Sequence, residues 1–384
     1  MCSPTSSLDY PSKPSSGALV SANHGALWSQ TLHLKRSSLA NNNHQMFDDY
    51  TVADKLPRNG HGEDNFRIIG CCNGVLCLSD DLHYYQEKLY LWNPSIQNLM
   101  TLPPLRVTFQ THGALFHSIG FGFDSPTNDY KVVRIVYADL LPDIRFRTLP
   151  EVDIFSLSTG TWRNITHLGP PHTIYDRSPQ AYLKGAAHWL AYDRKSMNNL
   201  QHLIVSFHMG DEEFGEIMAP GCIFYDKGGN VRVAEFRESL SLIVGRWDKG
   251  TCCIWVMKEY GMSESWTNLF NIDVSGESIN CLVGFTGKGG VLSGTRFGYL
   301  VAYDPEIKLA THIPILGSTT DVDVHGDAFD LYTYTENLVL LGSKFRDKVT
   351  CEESSVSSGE VSGAKKSRKI RVKPEKRRKK RRGA

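Results

Sequence analysis

The feature that most constrains this chain is a recurring pair: an aromatic residue late in a short apolar run, and a turn a few residues later. The lead aromatics of the five occurrences stand at intervals of 63, 52, 48 and 48 residues. They are Trp92, Phe155, Phe207, Trp255 and Tyr303. A period near 50 with several strands per period is typical of small sheets repeated around a ring. One such sheet cannot cover both of its faces, so the repeat predicts sheets that cover each other.

The sequence between these turns indicates strands rather than helices. Short apolar runs rich in β-branched and aromatic residues are bounded by Gly, Pro, Asn and Asp, and no stretch sustains helical periodicity over three turns. Examples are Leu89–Trp92, Tyr130–Tyr137, Glu151–Leu157, Leu203–Phe207, Thr251–Met257 and Tyr299–Tyr303. A body of about 280 residues and a period of about 50 predict an all-β, kelch-like β-propeller of about five to six blades. A large two-sheet sandwich is the competing architecture.

Composition divides the chain into four parts. Residues 1–32 are Ser/Pro-rich and are predicted to be disordered, residues 33–65 form a linker, residues 66–343 form the propeller, and residues 344–384 are a disordered basic tail. The segments Phe66–Cys72 and Asn337–Leu341 lie at opposite ends of the body, and we expect them to complete one closing blade. The apolar runs are too short to span a bilayer, and the N-terminus shows no secretory signal.

Charge is distributed unevenly along the chain. The whole sequence carries a net charge of +1, but the segment from Lys365 to Arg382 holds 13 basic residues and one acidic residue, which leaves −11 for the remainder. A run of like charges has nothing apolar to bury and cannot fold on itself. The run is typical of nuclear-localisation signals and of non-specific nucleic-acid contacts, and a solvated extension without a role is the third reading. The nuclear-localisation candidates are Lys365, Lys366, Arg368, Lys369, Arg371, Lys376, Arg377, Arg378, Lys379, Lys380, Arg381 and Arg382.

No motif of the chain predicts catalysis, a metal or a cofactor. The nine cysteines include no C-x-x-C pair, so we expect small buried thiols in a reducing compartment. The glycine-rich stretch 287–290 lacks the spacing of a phosphate loop and predicts a turn. We therefore expect no catalytic residue, no metal site, no cofactor and no enzymatic activity.

Two groups of polar residues predict structural roles rather than sites. The acids Asp211, Glu212, Glu213 and Glu216 lack the ligand spacing of a calcium loop and predict a solvated hairpin turn, with Phe207 and Phe214 packing inward. His188 lies in an apolar run and predicts a core histidine. The pairs His112 with His117 and His167 with His172 are expected in loops, without a third ligand.

Ten stretches of the chain, taken in order, resemble the plant F-box proteins that carry an F-box-associated, kelch-like domain, a group that includes the pollen S-locus F-box proteins. The stretches are HLKRS at 33–37, CCNGVLCL at 71–78, LYLWNPSIQNL at 89–99, GFGFDSPTNDYKVVRIV at 120–136, VDIFSLSTGTWRNI at 152–165, KGAAHWLA at 184–191, LIVSFHMGDEEFGEIMAP at 203–220, CIWVMKEYGMSESWTNLF at 253–270, YLVAYDP at 299–305 and YTENLVLL at 334–341. The resemblance covers about residues 33 to 342.

The resemblance implies the substrate-recognition part of an SCF-type (cullin-RING) ubiquitin ligase receptor, in which an F-box binds a Skp-type adaptor and the propeller binds a target protein. The 32 residues before His33 do not resemble the F-box, so we expect adaptor binding to be impaired. The alternative is a nuclear protein whose tail associates with nucleic acid non-specifically while the propeller recruits a partner. We expect a protein target and a nuclear import receptor as partners, no membrane association, and localisation to the nucleus, the cytoplasm or both.

Long loops on a rigid frame suit protein recognition, but the sequence does not define the partner-binding surface. The candidate loops are His83–Lys88, Thr108–Phe116, Leu140–Leu149, Pro171–Pro179 and Arg194–Gln201.

Overall fold

A computed structural model describes residues 16–24, 29–35, 50–52, 66–81, 87–138, 149–193, 202–221, 223, 229–246, 251–273, 279–285, 289–295, 300–305, 307–313 and 329–342. These residues form 25 β-strands in six antiparallel sheets, so the all-β prediction is confirmed. Their helices are short: α1 (Phe109–His112) and 3-10 turns at Pro94–Ile96, Thr166–Leu168 and Ser263–Ser265. No helix among the described residues is long and apolar enough to cross a membrane.

The sheets are named I to VI and their strands β1 to β25 in chain order. Sheet I has the order β25 (Phe329–Thr335), β1 (Ser16–His24), β2 (Ser29–Lys35), β3 (Tyr50–Val52). Sheet II contains β4 (Arg67–Cys72), β5 (Val75–Ser79), β6 (Leu89–Asn93) and β7 (Asn98–Thr101). Sheet III contains β8 (Leu115–Asp124), β9 (Asp129–Ala138), β10 (Glu151–Ser156) and β11 (Thr161–Asn164).

Sheet IV is five-stranded, because β12 (Thr173–Ile174) and β13 (Ala181–Leu183) both pair with β14 (Ala186–Tyr192), which is followed by β15 (His202–His208) and β16 (Glu213–Met218). Sheet V contains β17 (Gly229–Phe236), β18 (Ser239–Arg246), β19 (Thr251–Met257) and β20 (Trp266–Asp273). Sheet VI contains β21 (Ile279–Phe285), β22 (Val291–Thr295), β23 (Leu300–Asp304) and β24 (Leu309–Ile313).

The six sheets form a closed ring. One strand of each sheet contacts one strand of the next, in the order β25, β4, β8, β14, β17, β21 and back to β25. These are the innermost strands except in sheet IV, where β12 and β13 lie inside β14. Apolar clusters fill the wedges between neighbouring sheets: Trp189 is fully buried between sheets III and IV, and Phe121 between sheets II and III. The predicted propeller of about five to six blades is therefore confirmed, and each sheet is one blade.

The lead aromatics of the sequence repeat occupy equivalent positions in sheets II to VI. Each lead aromatic lies in the third strand of its sheet, shortly before the turn to the fourth strand. Trp92, Phe155 and Phe207 are almost completely buried. Phe207 packs on Phe214 of the fourth strand with ring centroids 4.7 Å apart, and Phe155 packs on Trp162 at 5.5 Å. The sequence repeat therefore arises because the same position of the third strand carries an aromatic residue in each of sheets II to VI.

The closing blade differs from the prediction. Residues 67–72 form β4, the innermost strand of sheet II, whereas the C-terminal strand β25 pairs with the N-terminal strand β1 in sheet I. The segment 337–341 joins neither sheet as a strand. Strands β1 and β2 also overlap residues 1–32, which the sequence predicts to be disordered, and β2 and β3 lie in the predicted linker. Local composition could not reveal these strands, because the strand that ties them to the ring, β25, pairs with β1 from about 300 residues away in the sequence.

The inner edge of β8 is covered by side chains from sheet IV rather than by another strand. The Gln180 amide bonds both the N–H and the C=O of Phe121 at 2.8 Å. The Tyr182 hydroxyl bonds the N–H and C=O of Phe123 in the same way, at 3.0 and 2.7 Å. Gly122 permits the approach of Tyr182, since a Cβ there would lie 2.2 Å from the Tyr182 ring. The side chains protect an edge that would otherwise accept a foreign strand.

Candidate recognition surface

The strand order gives the ring two different faces. On one, here called the turn face, lie the connections from the first to the second strand and from the third to the fourth strand of sheets II to VI, and those of sheets II to IV are tight turns. On the other, here called the loop face, lie the connections from the second to the third strand and from one sheet to the next, which are longer in sheets II to IV. All five loops that the sequence singled out leave from strand ends at the loop face. Of these loops, the structure describes residues 87–88, 108–116, 149 and 171–179.

A buried carboxylate, Asp81, organises the loop face where sheets II, III and IV meet. Asp81 follows β5 and accepts bidentate hydrogen bonds from Arg67 at the start of β4. The Arg67 Nε lies 3.1 Å from Asp81 Oδ1, and the Arg67 Nη2 pairs with Asp81 Oδ2. The His117 Nε2 lies 2.8 Å from Asp81 Oδ2, and Arg177 Nη2 donates to the Asp81 carbonyl at 2.7 Å. Asp81 and His117 are buried, at 2% and 4% exposure.

The electrostatics of this cluster fix its charge state. Burial raises the pKa of Asp81, but the Arg67 guanidinium and the His117 bond outweigh it and hold the pKa well below 3.8. Burial lowers the pKa of His117, against the opposing effect of Asp81. At neutral pH the cluster is therefore a carboxylate, a neutral imidazole that donates through Nε2, and two guanidinium groups. Because Asp81 is held by cations, it is not available as a general base.

A second buried charge fastens the neighbouring loops. Arg134 lies in the apolar strand β9 and is 1% exposed. Its Nη1 donates to the Val107 carbonyl at 2.6 Å, and its Nη2 donates to Glu87 Oε2 at 2.8 Å. The other Glu87 oxygen accepts the Phe109 N–H at 2.9 Å, at the start of α1. One guanidinium thus ties the loop before β6 to the loop before β8.

The ion pairs at the outer part of the loop face are more exposed to solvent than those of Asp81 and Arg134. Arg106 bonds Glu151 at 2.6 Å and approaches Asp153 at 3.3 Å. His172 lies 3.2 Å from Glu216 through Nε2 and 4.0 Å from Asp193 through Nδ1. The two carboxylates approach different nitrogens, so they do not converge with His172 on one point. Across the described part of the chain, no three His, Cys, Asp or Glu side chains are placed to hold a metal ion.

The structure corrects two expectations for the polar residues. His117 does not lie in a loop with His112: it is a buried residue of β8, whereas His112 is exposed at the end of α1. The acidic hairpin at 211–213 is not wholly solvated, because Glu212 pairs with Lys131 at 2.9 Å and with Arg163. His188 is a core residue, as predicted, and the burial of Phe207 against Phe214 is confirmed.

The cysteines and the basic cluster, which the sequence also singled out, contribute no reactive group to the loop face as described. The cysteines whose side chains are described are free thiols: Cys71, Cys72, Cys77, Cys252 and Cys253. Burial raises the pKa of the Cys72 and Cys252 thiols to about 12, which makes them poor nucleophiles. The basic cluster from Lys365 to Arg382 lies outside the described residues.

Sequence reasoning missed the residues that organise the loop face: Arg67, Asp81, Arg134 and Arg177. One signal was present, because Arg134 is a charge inside the apolar run Tyr130–Tyr137, and a charge in a buried strand requires a partner. Nothing in the sequence indicates which acid that partner is.

A family model described as the F-box associated beta propeller domain matches residues 29–304. The F-box protein At3g07870 of Arabidopsis thaliana is 34% identical over 225 residues, which are 54% of this chain and 51% of that protein. The F-box/kelch-repeat protein At3g23880 of the same plant is 28% identical over 253 residues, 65% of this chain and 64% of that protein. The chain thus spans about half to two thirds of the length of these relatives.

Among solved structures, the oligogalacturonate lyase of Vibrio parahaemolyticus aligns with a TM-score of 0.38 and 8% identity, over 83% of this chain and 90% of that chain. A likeness this distant carries no argument about function.

Proposed function

Because the chain belongs to the F-box associated β-propeller family, we propose that it is a protein-interaction module that binds a target protein at its loop face, without enzymatic activity. The observation that carries this proposal is the buried network of Asp81 and Arg134. It fixes the loops of three adjacent sheets to the rigid frame before any partner arrives. Loops held in place lose less conformational entropy on binding, which favours recognition.

The role of the loop face can be tested with two matched variants. Leu149 lies on the loop face and is 65% exposed, while Ile307 lies on the turn face and is 67% exposed. Leu149→Glu and Ile307→Glu therefore place the same charge at equal exposure on opposite faces. Affinity purification from native tissue, followed by mass spectrometry, should recover partner proteins with the wild type and with Ile307→Glu but not with Leu149→Glu. An equal set of partners from both variants, or no reproducible partner from the wild type, would contradict the proposal.

The relatives are named as F-box proteins, so we further propose that the target is one for an SCF-type ubiquitin ligase. The same purification should be scored for cullin and for a Skp-type adaptor. We expect little adaptor, since residues 1–65 do not resemble an F-box in sequence. Robust recovery of the adaptor with residues 1–65 alone would show that this expectation is wrong.

The charge of the tail supports a second proposal, that Lys365–Arg382 directs nuclear import. A net charge of +12 on 18 residues fits the acidic groove of an import receptor and also attracts nucleic acid. Deletion of 365–382 should abolish nuclear accumulation of the full chain while leaving salt-dependent retention on DNA or RNA unchanged. Loss of retention with unchanged localisation would instead favour nucleic-acid association.

A further inference from the structure

The segment 336–341, here called the C-terminal strap, leaves β25 and crosses the turn face of sheet II. None of its residues belongs to a strand. Within the described part of the chain, every hydrogen bond that holds residues 337–341 to the ring involves a side chain. The strap therefore lies on the ring without belonging to the backbone ladder of any sheet.

Two asparagines of sheet II bind the backbone of the strap. Asn93 is completely buried, and its amide nitrogen donates to the Val339 carbonyl at 2.9 Å and lies 3.2 Å from the Asn337 carbonyl. The Asn98 Oδ1 accepts the Leu341 N–H at 2.6 Å. The bound groups belong to every second residue, which is the spacing of an extended chain. The turn face of sheet II thus carries a groove for an extended backbone, here called the strap groove.

One polar side chain of the strap enters this groove. The Asn337 Oδ1 lies 2.9 Å from the Asn93 amide nitrogen. The Asn337 amide nitrogen donates to the Asn73 carbonyl and lies 3.3 Å from the Tyr130 hydroxyl of β9. These partners require a side chain that both donates and accepts hydrogen bonds, as an amide does. The position is therefore selective for asparagine.

One apolar side chain supplies the second anchor of the strap. Leu341 is 4% exposed and packs among the apolar side chains between sheets II and III. Between the two anchors, Leu338, Val339 and Leu340 are 82%, 36% and 59% exposed. The groove thus recognises an asparagine and, four residues later, a leucine, and it makes little use of the three side chains between them.

We propose that the strap groove is a peptide-binding site that the strap occupies as an autoinhibitory segment. Its ligand is an extended segment of a partner protein that carries an asparagine and, four residues later, a leucine. The site lies on the turn face, opposite the loop face, so it is separate from the proposed target-binding surface. Since the strap has no backbone ladder to break, it leaves the groove by local opening, without unfolding of the ring.

The tether between β25 and the strap sets how strongly a partner must compete. A segment joined by a short linker has an effective concentration in about the millimolar range. The apparent affinity of a free partner is therefore reduced by the fraction of chains whose groove is open. A partner displaces the strap when it is already bound elsewhere on the chain, because its own local concentration is then raised in the same way.

Fluorescence anisotropy with a labelled peptide tests the site. The peptide has the sequence of residues 336–343 with Leu338→Lys and Leu340→Lys, which change only exposed side chains and keep it soluble. A full chain with Asn337→Ala and Leu341→Ala, whose own strap lacks both anchors, should bind this peptide at least about tenfold more tightly than the wild type. The matched control peptide, which also carries Asn337→Ala and Leu341→Ala, should bind neither chain. Equal affinity for the two chains, or no binding to the folded variant, overturns the proposal.

Hydrogen exchange on the wild-type chain supplies a readout that does not depend on the folding of the variant. The Leu341 amide should exchange faster than the amide of Val132, a buried residue of β9, because the strap opens while sheet III stays folded. A saturating amount of the peptide should accelerate exchange at Leu341 further and leave Val132 unchanged, since the peptide takes the place of the strap. A Leu341 amide that exchanges only as slowly as Val132, or that the peptide does not accelerate, overturns the proposal.

Discussion

At the scale of single residues, a few charges lie buried where sheets II, III and IV meet, within an otherwise apolar core. Asp81 and Arg134 each join segments from different sheets, and each is nearly inaccessible to water. Removing one member of such a group leaves its partners charged and unpaired in a low-dielectric site, which costs more than the pair itself contributes. The effect of a substitution at the loop face should therefore depend on burial rather than on the number of contacts.

Asp81→Asn tests this dependence. The asparagine keeps the shape but leaves Arg67 and Arg177 without their shared carboxylate, so we expect the free energy of unfolding to fall by about 3 kcal/mol or more. The control is Glu151→Gln, which breaks a pair whose side chains are about half exposed and should cost no more than about 1 kcal/mol. Urea unfolding at pH 7.5 measures both. Equal losses would show that Asp81 is not held as a buried charge.

His188 provides a second residue-scale prediction, on pH. Its Nδ1 lies 3.2 Å from the Ala181 carbonyl and its Nε2 lies 2.7 Å from the Tyr260 hydroxyl, so the neutral ring donates to Ala181 and accepts from Tyr260. Burial lowers the pKa of His188 from 6.5 to about 4. Because the folded pKa lies below the unfolded value, the stability from this group is present above pH 6.5 and is lost as pH falls towards 4. The loss amounts to about 3 kcal/mol.

Tyr260→Phe removes the hydroxyl that donates a hydrogen bond to Nε2 of His188. We expect it to lower the free energy of unfolding at pH 7.5 by about 1 kcal/mol and to weaken the decline between pH 6.5 and 4, since the neutral ring loses a bond. Met262→Leu, a change in the same turn, should leave both quantities as in the wild type. Denaturant unfolding at a series of pH values checks this, and an unchanged pH profile in Tyr260→Phe would rule out the assigned bond.

At the scale of elements, the third strands of sheets II to VI could be predicted from the sequence, and the closing strands of sheet I could not. Trp92 and Phe207 stand out because each apolar run is followed by a turn of recognisable chemistry. By contrast, β1 and β2 lie in a segment whose composition resembles a disordered chain, and they are strands because β25 pairs with β1. Pairing between distant segments leaves no local pattern. The partners of Arg134 were hidden for the same reason.

Gln180 takes the place of a neighbouring strand along β8, because its amide bonds the backbone N–H and C=O of Phe121. In Gln180→Leu, the N–H and C=O of Phe121 both lose their partner, so we expect the free energy of unfolding to fall by about 2 kcal/mol or more. Gln110→Leu, at an exposed position of α1, should change it by less than about 0.5 kcal/mol. Guanidinium unfolding distinguishes the two. A Gln180→Leu protein as stable as the wild type would mean that water replaces the amide at this edge.

At the scale of the whole molecule, ring closure depends on both ends of the body. Sheet I joins β1 to β25 over seven residue pairs, and a Cβ at Gly74, where φ is +74°, would meet the Thr335 carbonyl at 2.2 Å. Sheet I therefore passes close over the first turn of sheet II. The six sheets are one cooperative unit, because each covers a face of the next.

Deletion of residues 1–35 should lower the Tm and cause aggregation on heating, because it removes β1 and β2 and leaves β25 with an unpaired edge. Deletion of 365–382 should leave the Tm unchanged, since a run of like charges has no apolar surface to bury. Circular dichroism and light scattering during heating measure both effects. An unaltered Tm after loss of residues 1–35 would contradict the closure of the ring through sheet I.

The pairing of β1 with β25 also sets the order of events during synthesis. A ribosome delivers roughly 5–20 residues per second, so β1 emerges tens of seconds before the strand that holds it. Until then, the nascent propeller has one uncovered wedge, and apolar surface exposed in this way favours aggregation with neighbouring nascent chains. Premature termination anywhere before Phe329 therefore yields no smaller stable propeller, only an open arc for the quality-control machinery to remove.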